Sequence, residues 1–280
     1  MKATIPDDLK RDLPATTWGK TLSATPVVMT IVATLLAGLA SSEMTKAQYD
    51  RALGAQLQSK AGDQWSYFQA KKMRGAMQRN SIEMLQATAE IRPINNPALE
   101  KVPAPAPLVL DAGVEAAMQA VEKQKPETEI VPLLKQVDDA TLAAALQAAK
   151  DNALAFESAS APANQAMEQL EKSLTTGDKA MARDFTVARM RFNGSRYDIE
   201  ARLNQSIANI YELLVRKANI SAERHHRRSG KFFFGMLAAQ AAVIIATLAI
   251  AAQKRNFLWS IAAFAGITAI VFAIYVYLRV

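Results

Sequence analysis

His225 and His226 are the only histidines in the chain, and they stand in the run Ser221–Lys231, SAERHHRRSGK. Imidazoles can ligate a metal, move a proton or grip a phosphate. Neighbouring positions on a helix point about 100° apart, so these two rings are poor joint ligands for one ion. Nothing nearby but Glu223 offers a further donor. The paired carboxylates Asp138–Asp139 and Glu127/Glu129 have no histidine beside them and read as solvated helix ends. Cysteine is absent, so no disulfide, thiolate nucleophile or Cys-ligated metal can form. The sequence holds no phosphate-binding loop, dinucleotide-binding glycine fingerprint, nucleophile elbow or HExxH helix. No enzyme and no cofactor is expected.

What this run offers is positive charge in front of an apolar stretch. Arg224, His225, His226, Arg227, Arg228 and Lys231 form a collar expected to face the phosphates of anionic lipid head groups. Protonation of the histidines would make that grip pH-dependent, an idea that fails if lipid binding is flat between about pH 5 and 8. The net charge is +7, and no acid follows Glu223. The middle of the chain mixes both signs throughout, so no nucleic-acid partner is expected.

The elements that position the collar are apolar. After Lys231 come FFFGMLAAQAAVIIATLAIAA, the turn QKRN, and FLWSIAAFAGITAIVFAIYVYL. Each run is about 21 residues, enough to cross a hydrocarbon core of about 30 Å as a helix. Residues 22–40 form a further candidate span, with Pro26 in its first turns and Trp18 as an interfacial anchor. Tyr275, Tyr277 and Arg279 close the last span in the same way. Thr34 and Gly38, and Ala262 and Gly266, are small residues four apart, the spacing that lets helices approach closely in lipid. Gln240 is the most polar residue inside any span. The lack of an ionisable group there argues against a pump or proton relay.

Around these spans the chain divides by composition. Residues 1–21 are polar, contain Pro6 and Pro14, and show no cleavable signal peptide. Residues 41–92 are helix formers without proline and read as an outgoing helix that ends before Pro93. Pro93, Pro97, Pro103, Pro105 and Pro107 make an extended connector at the start of a helical head over 93–177. In that head Asp111 caps one helix ending before Pro126, a second covers about 130–158, and a third runs from Pro162 to Leu174. Asp178 caps a returning helix over 178–231. Phe192, Ile199, Ser206, Leu213 and Ile220 recur every seven residues, interleaved with Arg196, Leu203, Ile210 and Lys217. Asn193–Gly194 leaves open whether that helix runs through or bends. The expected fold is an all-α membrane protein: three transmembrane helices, the last two a hairpin over 232–280, with a long antiparallel, coiled-coil-like stalk and a small helical head.

The stretch Ala61–Arg74, AGDQWSYFQAKKMR, resembles the signature of a bacterial membrane-protein family, the domain of unknown function 4337. Asp63, Gln64, Trp65, Tyr67, Gln69, Ala70 and Lys71 match its pattern, while Gly62 and Phe68 depart from it mildly. ERHHRRSGKFFFGMLAAQ and AIYVYL resemble the tails of these proteins. The resemblance implies the same layout of spans and helical middle, and it carries no activity. On a helix Trp65 and Phe68 share a face, with Tyr67 and Lys71 beside it, as at a helix interface.

The expected function is that of a non-enzymatic integral membrane scaffold that self-assembles as a homo-oligomer through its stalk and spans. The alternatives are an accessory subunit of a larger membrane complex and an oligomeric channel. The expected location is the bacterial inner membrane. The collar favours a cytoplasmic stalk, against which Lys2, Lys10, Arg11 and Lys20 argue.

Overall fold

The computed structural model describes residues 17–94, 102–174, 178–251 and 255–279. All its regular structure is helical: α1 (Thr17–Thr88), α2 (Ala112–Glu122), α3 (Glu127–Gln136), α4 (Asp139–Leu174), α5 (Lys179–Ala251) and α6 (Arg255–Arg279). No strand occurs among the described residues. The chain divides into two compact units, to both of which α1 and α5 contribute. Unit 1 is Met1–Ala52 with Asn219–Val280, and unit 2 is Leu53–Ala218. Pro6, Pro14 and Lys254, and the side chains of Trp18, Tyr277 and Arg279, lie outside the described residues.

α1 begins at Thr17, ahead of Leu22, so Pro26 lies in the helix interior and not in its first turns. The ring removes one backbone donor there. The helix stops at Thr88, before Pro93, as the sequence predicts.

Unit 1 is built with its small residues inside. Ala33 of α1 meets Ala239 of α5 and Ala269 of α6. Leu36 and Ala40 pack on Phe232, with Met236 and Phe272 beside them. The large apolar side chains point the other way: Ile31, Leu35, Phe234, Ile244, Phe264 and Ile267 are all exposed. Only 22% of the apolar window of α1 and 33% of that of α5 is buried. Both helices are long and apolar enough to cross a membrane, and the described part of α6 holds a shorter apolar stretch, Ser260–Tyr275.

Unit 2 has the opposite composition inside. Ile130, Leu134, Leu142, Ile210, Leu213, Val114 and Val187 are fully buried. α1 and α5 run antiparallel here: Trp65 meets Glu212, Arg79 meets Asp198, and Arg183 reaches the carbonyl of Glu90. α4 packs along α5 through Arg189–Glu171, Arg196–Asn164 and a cluster of Met167, Phe185 and Phe192. The other side of α5 takes α2 and α3, where Asn209 bonds Glu122 and Lys217 donates to the carbonyls of Leu134 and Val137 at the end of α3. Ile207, Ala208, Ile210, Tyr211 and Leu213 are therefore buried around the whole circumference of α5. A single seven-residue seam describes only part of this contact.

Two expectations about the helical head change, and one open point in the returning helix is decided. α3 and α4 replace the continuous helix over 130–158, because Asp138 caps a new start, accepting from the backbone N of Thr141 at 2.6 Å. A hydrogen bond from the Thr141 side chain, then that backbone bond and the Lys217 charge, hold the Asp138 carboxyl below its ordinary range. α4 then continues through Pro162 instead of restarting there, since Asn164 and Met167 just beyond are anchored on α5. Asn193–Gly194 stays helical. Gly194 is buried opposite Gly75, where a Cβ on Gly75 would stand 3.6 Å from the Gly194 carbonyl oxygen. The glycine serves a close helix crossing and not a turn.

Candidate functional site

The most concentrated ionisable cluster in unit 1 surrounds Glu43. Alternation along α1 places Glu43 and Asp50 two turns apart on one face. α5 presents His225 and Arg228, one turn apart, to that face. Nδ1 of His225 lies 2.6 Å from Oε2 of Glu43, and Nε2 lies 4.0 Å from Oδ2 of Asp50. Nη1 of Arg228 is 3.8 Å from Glu43 Oε2, and Lys46 Nζ is 3.2 Å from Oε1. One turn on, the buried Ser229 hydroxyl donates to the carbonyl of Ala40 at 2.7 Å. Glu43 is only 6% exposed. Burial pushes its carboxyl up, but the His225 and Lys46 hydrogen bonds and the Arg228 charge outweigh it, leaving Glu43 below the usual carboxylate range. An ionised Glu43 accepts from Nδ1 of His225 in the tautomer that carries its proton there. Among the described residues no group of three or more ligating side chains is placed to hold a metal.

The basic collar does not form one outward surface. His226 and Arg227 are exposed, and Arg227 bonds Glu223 at 2.7 Å, holding that carboxyl below its usual range. Arg224 is exposed as well. Lys231 lies over the ring of Tyr275, 5.6 Å from its centroid. His225 and Arg228 turn inward, with side chains 21% and 18% exposed, so they depart from the expected role at lipid head groups. The partner that draws them in, Glu43, is the lone acid between the first apolar run and Asp50. That isolation was the sequence signal for the cluster.

The family motif lies in unit 2 and is divided in the same way. Trp65 donates from Nε1 to Glu212 at 2.7 Å and meets Phe68 edge-on at 5.4 Å. Lys71 pairs with Glu200 and lies over the Tyr197 ring. Gln64 is half-buried. Asp63, Tyr67 and Gln69 face outward, Tyr67 at 56% exposure. The motif therefore joins α1 to α5 through Trp65 and Lys71, with Phe68 against Trp65, and leaves Asp63, Tyr67 and Gln69 on the surface.

The small-residue pairs also separate. Ala262 is fully buried, and Gly266 abuts Met29, whose Sδ would lie 2.6 Å from a Cβ at that position. Thr34 and Gly38 face out, and no atom lies within 4 Å of where a Gly38 Cβ would be. The inward face of α1 is instead Ala33, Leu36 and Ala40, because Leu36 fills the space between Phe232 and Phe272. Thr30, Ala33, Thr34 and Ala37 with Gln240, Val243 and Ile244 line an open groove of about 420 Å³ between α1 and α5.

Neither the curated proteins nor the solved structures contain a match to this chain. A family model described as Domain of unknown function (DUF4337) matches residues 18–279, which takes in the Trp65 motif, the Glu43–His225 cluster and all three apolar segments. The chain belongs to the DUF4337 family.

Proposed function

We propose that this protein is a non-enzymatic, multi-pass scaffold of the bacterial inner membrane, held by three spans and assembled from several copies of itself. The observation that carries this reading is Gln240. It lies about 12 Å along its apolar run, near the depth of a bilayer midplane. There it is exposed in the Thr30–Ile244 groove and has no hydrogen-bond partner among the described residues. Acyl chains offer an amide nothing to bond, whereas a second Gln240 offers both a donor and an acceptor. Thr34 and Gly38, left open on α1, allow another backbone to come close. The outward Arg224, His226 and Arg227 suit anionic head groups and favour a cytoplasmic position for unit 2.

Because the chain has no native cysteine, single cysteines test this directly. Ile244→Cys at the groove should give a disulfide-linked dimer on oxidation in membranes, and Phe264→Cys, exposed on α6, should not. Gln240→Leu should lower the cross-linking yield of Ile244→Cys several-fold. A particle mass of one chain in mild detergent, with no cross-link at either site, would overturn self-assembly. A companion protein recovered in fixed ratio would favour the accessory-subunit reading instead.

A further inference from the structure

We propose that unit 2 carries a binding site for an elongated apolar anion, in a pocket between α5 and the chain that follows α1. The pocket holds about 480 Å³, within the range of small-molecule sites. Its α5 wall is a single helix face, on which Asp184, Ala188, Arg191, Ser195 and Ile199 recur every three or four residues. Asp184 and Ile199 stand about 22 Å apart along the axis, so the pocket is long. The opposite wall is apolar, with Ile91, Ile94 and Val102. Ile94 and Val102 pack on the cluster of Met167, Phe185 and Phe192, which holds the two walls together.

Three charged groups line this pocket, and their state sets the ligand class. Arg92 and Arg191 are exposed, and neither guanidinium has a partner among the described residues. Asp184 is the reverse: it is only 7% exposed, and its Oδ1 accepts no hydrogen bond among the described residues. Nη2 of Arg183 stands 3.7 Å from that oxygen and donates to the Glu90 carbonyl instead. A buried polar atom in that state calls for a partner from outside the chain. Two free guanidiniums suit a carboxylate, which each can bond through a planar fork. The apolar walls suit a hydrocarbon chain. Asp184 repels a second anion and accepts from a hydroxyl, about 10 Å along α5 from Arg191. The ligand class is a medium-chain acyl carboxylate with a hydroxyl toward its far end. A cationic amphiphile would suit Asp184 but would face both arginines. The site lies within one chain and does not rest on self-assembly.

The test is a calorimetric titration of the full-length protein in micelles with octanoate, 8-hydroxyoctanoate and octylammonium, the heats of protein-free micelles being subtracted. Octanoate should bind, 8-hydroxyoctanoate roughly tenfold more tightly, and octylammonium at least tenfold more weakly than octanoate. Replacing both exposed guanidiniums, in Arg92→Gln with Arg191→Gln, should weaken octanoate at least tenfold and leave the unfolding midpoint unchanged. Asp184→Ala should keep octanoate binding and lose the advantage of the hydroxyl. The arginine variant, altered only at the surface, serves if Asp184→Ala does not fold. No heat from octanoate beyond that of micelles, equal binding of octanoate and octylammonium, or octanoate binding undiminished in the double arginine variant would each overturn the site. A hydroxyl advantage that survives in Asp184→Ala would overturn the assignment of Asp184 to the far end of the ligand.

Discussion

Unit 1 and unit 2 bury opposite kinds of residue. In unit 2 the fully buried side chains are Ile130, Leu134, Leu142, Ile210 and Leu213, while charged groups such as Lys71, Arg79 and Arg189 pair near the surface. In unit 1 the fully buried positions among the described residues are Ala47, Ala239, Ala242, Ala246, Ala249, Ala262 and Ala269, while Leu35, Phe264 and Ile267 lie outside. Water drives large apolar groups together, and in lipid that drive is absent, so close contact of small residues becomes the cohesive force. Helix propensity is much the same in the two units. On the proposed membrane reading, the solvent around each unit decides which residues face in.

The sharpest way to break this comparison is to delete bulk on both sides of it. Leu213→Ala in unit 2 leaves a cavity at a fully buried site and should cost about 2–5 kcal/mol. Phe264→Ala in unit 1 removes more atoms from a side chain that is 74% exposed and should change stability far less. Denaturant titration in micelles, with tryptophan fluorescence for unit 2, measures both. Equal losses would mean that Phe264 is buried by a partner or that unit 1 is not lipid-embedded.

Adding bulk should reverse the order. Ala239 is fully buried against Ala33 and Ala269, and Ala239→Leu should separate the helices at a cost of about 1–3 kcal/mol. In unit 2 the exposed Met77 accepts Leu at almost no cost. An unchanged midpoint for Ala239→Leu would show that the alanine contact contributes nothing to cohesion.

Much of this contrast was legible in the sequence, and the exceptions have physical causes. The apolar runs, the Asp111 and Asp178 caps and the end of α1 before Pro93 follow from local composition, which needs no knowledge of neighbours. The break at Asp138 and the passage of α4 through Pro162 were hidden, because a packed partner decided each against the local signal. Asn193–Gly194 leaves run-through and bend open in the sequence, and Gly75 opposite it shows what the glycine is for. The candidate site was half legible. His225 stood out as a histidine, but its role depends on Glu43 and Asp50, far away in the chain, and nothing in the basic run indicates which of its members turn inward. In the same way Trp65 signals an interface by its type and spacing, while Glu212 as its acceptor does not.

The smallest effect sharpens the comparison at the Glu43 cluster itself, a buried charge in the unit that otherwise buries alanine. The folded-state carboxyl of Glu43 lies below its ordinary range. Its contribution to stability is therefore fully present above the ordinary carboxylate value and is lost as pH falls through the depressed one. Glu43→Gln should remove the acid-side loss, because an amide does not titrate. Unfolding midpoints measured from pH 3.5 to pH 8 distinguish this from a general acid effect. Loss of stability at the same acid pH in Glu43→Gln as in the wild type would assign the acid limit to other carboxylates, with Asp138 at the α4 cap the first to examine.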